Sequence, residues 1–128
     1  MLNKTKSAEI VEWALFAVGG RDALAERLGL DRARIEEYRT GKSFPKWHIF
    51  VRIAHLAGYV VTVGGIPAGE TFWQTYFADN DNIGGFCRRS GANRNSINKW
   101  VAEGVIQLAA IVRVAEKAKM EIDVVKVR

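Results

Sequence analysis

Cysteine, proline and histidine are scarce in this chain. One cysteine, two prolines and two histidines occur in 128 residues. A lone cysteine, Cys87, excludes an internal disulfide and a cysteine-rich zinc site. Beside Gly85 and Phe86 it reads as a small buried hydrophobe. His48 and His55 have no acidic or cysteine companion at ligand spacing, so no metal site is expected. No apolar run reaches the roughly 18 residues that span a membrane. The first residues, Met1 to Lys6, carry no signal-peptide pattern. A reducing cytoplasm and no membrane partner are the expectation. Also missing are a glycine-rich phosphate loop, paired carboxylates in a plausible site and a serine–histidine constellation. The expectation is a chain that is not an enzyme, with no catalytic residue, no cofactor and no evident small-molecule ligand.

What is present is ordinary for a folded protein. Hydrophobic residues make up 48% and charged residues 26%, which argues against disorder. The length suits one compact domain or two very small ones. The net charge is +5 and the isoelectric point about 9.6. A basic balance of this kind suits a polyanionic partner.

The chain also repeats itself. Gly29 and Gly91, 62 residues apart, close similar patterns. At that spacing Leu24 meets Phe86, Ala25 meets Cys87, Ile35 meets Ile97 and Tyr38 meets Trp100. At a spacing of 61, Arg52-Ile53-Ala54 meets Arg113-Val114-Ala115, Val61 meets Ile122 and Val63 meets Val124. This reads as two copies of one supersecondary unit, residues 1–66 and 67–128, with glycine and proline punctuating the boundary.

Each copy is expected to hold about four helices and then a short strand. In the first, Ser7 would cap a helix over 8–18. A second helix runs over 21–28, Gly29-Leu30 turns, and Asp31 caps a third helix ending at Thr40. Gly41 stops it, Pro45 opens a fourth helix to about Ala57, and Tyr59–Val63 is strand. In the second copy the helices fall at 70–78, 83–90, 94–102 and 106–119, with 79–82 a polar turn, Asn93 a cap and 121–127 strand. Trp13, Trp47, Trp73 and Trp100 read as core or interface residues.

Residues 24–42 carry a resemblance. Ala25 is small, Gly29 makes the turn, Ile35 and Tyr38 are apolar in the third helix, and Gly41-Lys42 follows it. This stretch resembles the Cro and lambda-repressor-like helix-turn-helix family. Cys87, Gly91, Ile97 and Trp100 keep matching places in the second copy, which lacks the proline before its fourth helix and has the helix-weakening pair Gly84-Gly85. The resemblance implies a mainly α fold of two tandem helix-turn-helix units. Pairing of their terminal strands within one chain would make an internal pseudo-dimer; pairing between chains would make a homodimer.

The resemblance also implies double-stranded DNA as partner and transcription regulation of bacterial or phage type, repressor-like. Arg32 stands where such helices touch bases. Away from Ile35 and Tyr38 the third helix carries Ala33, Glu36, Glu37 and Thr40; Arg34 adds a base or phosphate contact, and Arg21 and Lys42 could reach phosphates. In the second copy Arg94, Asn95, Ser96, Asn98 and Lys99 stand on the corresponding helix. Asparagine pairs with adenine, and arginine and lysine suit guanine. No acid interrupts 93–102, so the second copy has the better reading chemistry. The other readings are a protein-interaction module, such as an antitoxin or assembly adaptor, and a phage packaging or replication protein that recognises DNA.

Overall fold

The computed structural model describes residues 2–104 and 106–127. Among them are eight helices and three strands, in an order that repeats. The first half holds α1 (Lys4–Val18), α2 (Arg21–Leu28), α3 (Arg32–Thr40), α4 (Trp47–Leu56) and β1 (Tyr59–Val63). After β2 (Ile66–Pro67) come α5 (Phe72–Phe77), α6 (Asn80–Ser90), α7 (Arg94–Glu103), α8 (Leu108–Lys117) and β3 (Ile122–Lys126). No described helix is long and apolar enough to cross a membrane.

Local capping explains most of the boundaries. Asp31 and Asn93 accept backbone N–H groups at the starts of α3 and α7. Gly29 and Gly91 end α2 and α6 with φ of 67° and 74°, the left-handed conformation that glycine adopts without strain.

Some starts differ from expectation. Helix α1 begins at Lys4, capped by Asn3 Oδ1 accepting from Lys6 N at 2.8 Å, and Ser7 is buried inside it. The extra turn is anchored from far away, because Leu2 N donates to Ile122 O at 2.9 Å. Pro45 lies before α4, whose cap is Lys46. The polar stretch 79–82 is a helix start, with Asp79 accepting from Asp81 N and Asn82 N. Helix α6 then runs through Gly84 and Gly85, carried by Ile83 and Phe86 in the core. Helix α5 begins only at Phe72, since Ala68 N already donates to Val61 O.

The sheet has the order β2-β1-β3, with both pairs antiparallel. Strands β1 and β3 therefore pair within the chain, and the glycine- and proline-punctuated boundary between the copies contributes β2. In the register Thr62 faces Asp123, 61 residues away, with Val61 on Val124 and Val63 on Ile122. A second antiparallel bridge joins Lys46 to Gln107, at the same separation.

Both halves feed one core. Trp47 and Trp73 are fully buried and meet edge to face, with ring centroids 5.8 Å apart. Trp47 Nε1 donates to Gly69 O at 3.0 Å. Around Trp73 stand Phe72, Tyr76, Phe77 and Phe86. Trp100 is half-buried. Trp13 is 48% exposed and so lies outside the core, because α1 buries the stripe of Ser7, Ile10, Val11 and Ala14. Residue 13 sits about 60° around the helix from Ile10, about 100° from Ala14 and about 160° from Val11, off the edge of that stripe.

One ion pair ties the chain start to β3. Lys6 Nζ lies 2.7 Å from Asp123 Oδ1, which also accepts from Val124 N at 2.9 Å. Burial raises the Asp123 pKa, but the Lys6 ammonium and the Val124 N–H outweigh it and hold the carboxyl below its ordinary value. A carboxyl with a depressed folded pKa adds stability above its unfolded pKa and loses it as pH falls through the folded one. Asp123→Asn should therefore lower the melting temperature at neutral pH and flatten its fall on acidification. Parallel acid limbs for the two proteins in thermal melts would rule this out.

Candidate nucleic-acid interface

Helices α2 and α3 are joined by a tight turn in which Leu30 N donates to Ala25 O at 3.0 Å. Leu24, Ala25 and Leu28 of α2 and Ile35 and Tyr38 of α3 face the core. Burial of the Tyr38 ring raises its hydroxyl pKa. Periodicity then leaves Arg32, Ala33, Arg34 and Thr40 exposed on α3. Arg21, at the start of α2, and Lys42, just after α3, are exposed as well.

Arg21, Arg32, Arg34 and Arg39 each pair with an acid. Arg32 Nε lies 2.8 Å from Asp22 Oδ1 on α2. Arg34 lies 3.9 Å from Glu37. Arg39 binds both Glu36 and, at 3.0 Å, Glu12 of α1. Arg21 Nη1 reaches Glu36 Oε2 at 3.3 Å. The Arg39 hydrogen bond, helped by Arg21, holds the Glu36 carboxyl below its ordinary pKa, while the two carboxylates raise that of Arg39. Periodicity places Glu36 among the outward residues of the third helix. In the fold it is the hub of a three-helix charge network.

The corresponding pair is α6 and α7. Gly91 N donates to Cys87 O at 2.9 Å, and buried Ser90 closes the turn by accepting from Ala92 N at 3.1 Å. Ile83, Gly85 and Phe86 of α6 and Ile97 of α7 are buried. Arg94, Asn95, Ser96, Asn98 and Lys99 are all exposed along α7. Arg94 Nη2 donates to Asn80 Oδ1 at 3.3 Å, a neutral partner. Among the described residues, no ion pair involves a side chain of α6 or α7.

The 62-residue spacing accounts for this contrast. Glu12 corresponds to Gln74, Asp22 to Gly84, Glu36 to Asn98 and Glu37 to Lys99. Each acid that pairs a cation of α3 is thus missing from the second surface. This signal is present in the sequence, but only the tertiary structure identifies which acids bear on which cations. Arg89 plays a different part: its Nε donates to Ala118 O at 3.0 Å, tying α6 to the end of α8.

A separate cavity of about 520 Å³ lies between α2, α4 and Gly69-Glu70, walled by Leu28, Val51 and Leu56. It contains none of the exposed α3 or α7 side chains. Among the described residues no group of three histidine, cysteine or acidic side chains could hold a metal. The chain matches no protein-family model, no curated protein and no solved structure.

Proposed function

We propose that this chain is a sequence-specific regulator of transcription that binds double-stranded DNA, repressor-like, in the reducing cytoplasm. In this reading α2–α3 and α6–α7 are two helix-turn-helix units of the Cro and lambda-repressor-like kind, divided near residue 66. The observation that carries it is the surface of α7. A helix anchored by buried Ile97 presents Arg94, Asn95, Asn98 and Lys99 to solvent with no paired acid among the described residues. Asn95, Asn98 and Lys99 suit adenine and guanine edges in a major groove, which admits one α-helix, and the guanidinium of Arg94 at the helix start suits phosphate.

The register of the sheet supports an internal pseudo-dimer. A two-fold interface brings each residue against its own counterpart at the axis and exchanges the neighbours. Thr62 on Asp123, with Val61 on Val124 and Val63 on Ile122, follows that pattern at the repeat spacing of 61. Lys46 on Gln107 repeats it. Two third helices related this way would enter successive major grooves from one side of the duplex and occlude it, which is the mechanism of repression.

Selection of bound fragments from random duplex DNA, followed by affinity measurements across salt, tests the reading. The logarithm of affinity should fall linearly with the logarithm of salt, with a slope of about −0.9 for each phosphate neutralised. Lys42→Ala should weaken all duplexes alike and make that slope shallower by about one, as expected of a phosphate contact. Salt-independent affinity, or no selected sequence, would count against DNA as the partner.

A second reading, a protein-interaction module, draws on α1. Trp13 and Phe16 stand one turn apart and are 48% and 83% exposed. Exposed neighbouring aromatics are a common mark of contact surfaces. Trp13→Ala with Phe16→Ala should leave duplex affinity unchanged if this face serves another partner.

A further inference from the structure

Gly84 lies in the middle of α6 with no side chain of its own. A Cβ built there would stand 3.5 Å from Nη1 of Arg88 and 4.0 Å from Nη1 of Arg94. Two guanidinium groups, one from α6 and one from the start of α7, thus converge over bare backbone. Neither has an acid within ion-pair distance among the described residues, and Asp81, in the first turn of α6, pairs with neither. In the first half the corresponding place is filled: Asp22 stands where Gly84 does, and it neutralises Arg32, the counterpart of Arg94.

Like charges held together without a counter-ion are poised for an anion, and guanidinium forks match the geometry of phosphate oxygens. We propose that Arg88 and Arg94, over Gly84, form a clamp for one backbone phosphate of the duplex, and that the absence of a side chain at position 84 keeps it open. This rests on the duplex-binding reading. It further assigns the two halves different electrostatic roles. The second grips the backbone through this clamp, whereas the Asp22–Arg32 pair closes the equivalent place in the first.

The test restores the missing acid. A side chain fits at position 84, since its Cβ would meet only the flexible ends of two arginines at ordinary contact distance. Both aspartate and asparagine have better helix propensity than glycine, so Gly84→Asp and Gly84→Asn should fold. The two variants have nearly the same shape and differ in charge. Gly84→Asn should bind a selected duplex within about two-fold of the parent, while Gly84→Asp should bind about tenfold more weakly at low salt, with a salt slope shallower by about one. Equal effects of the two variants would overturn the clamp while leaving DNA binding intact. Failure of the parent to bind any duplex would instead overturn the reading beneath it. Inorganic phosphate should be added alone while the guanidinium NMR signals of Arg88 and Arg94 are followed. Saturation at millimolar phosphate would assign the pair to a free anion and overturn the duplex assignment; unmoved signals support it.

Discussion

Trp73→Ala should cost about 3–5 kcal/mol of unfolding free energy, the range for deleting a fully buried large aromatic. Trp73 is completely buried and touches Trp47, Phe72, Tyr76, Phe77 and Phe86. It is thus the link between α4 of the first half and α5–α6 of the second. Small domains are stable by only about 5–15 kcal/mol, so a large part of the total would go. Its indole N–H has no acceptor among the described residues, so Trp73→Phe removes ring area without stranding a partner. Urea denaturation of the parent and both variants measures this. The alanine variant should lose clearly more than the phenylalanine variant. A loss for Trp73→Ala below about 0.5 kcal/mol, the level of a typical surface change, would show that the aromatic cluster does not hold the halves together.

Asn98→Ala should have the largest effect on sequence preference. Asn98 is exposed near the middle of α7, one residue beyond buried Ile97. A bidentate asparagine–adenine contact discriminates by about 1–3 kcal/mol, so the variant should relax base preference in one half-site by that amount. Arg32→Ala should act on the other half-site. Arg32 can leave Asp22 to reach DNA because their ion pair is exposed on both sides, at 62% and 78%, and such pairs contribute little. The elementary site should then be asymmetric, with unlike halves about one helical turn apart. Base-preference profiles of each variant decide this. Changes at the same positions, or at none, would remove the two-headed model.

The positions of the helices were largely legible from neighbouring residues. Glycine ends α2, α3 and α6 in the left-handed conformation, and Asp31 and Asn93 start α3 and α7. The apolar stripes Leu24-Ala25-Leu28 and Ile35-Tyr38 mark their buried faces. Such signals act within a turn or two of the chain, so the sequence displays them directly. The exposed set on α7 followed from the same periodicity.

What required the fold is every relation between distant residues. The turn added to α1 depends on Leu2 meeting Ile122, and the late start of α5 on Ala68 meeting Val61. Trp13 and Trp73 are the same residue type, yet one is half exposed and the other wholly buried, because neighbouring elements decide which face is covered. The sequence by itself determined two similar runs of capped helices, each ending in a strand. Only the tertiary structure decided that β1 pairs with β3 in the same chain, and that Arg32 and Arg39 of α3 find acids on α2 and α1 while the cations of α7 find none among the described residues. The physical reason is range: capping and periodicity are local, whereas strand pairing and ion pairing depend on distances that the chain closes only when it folds.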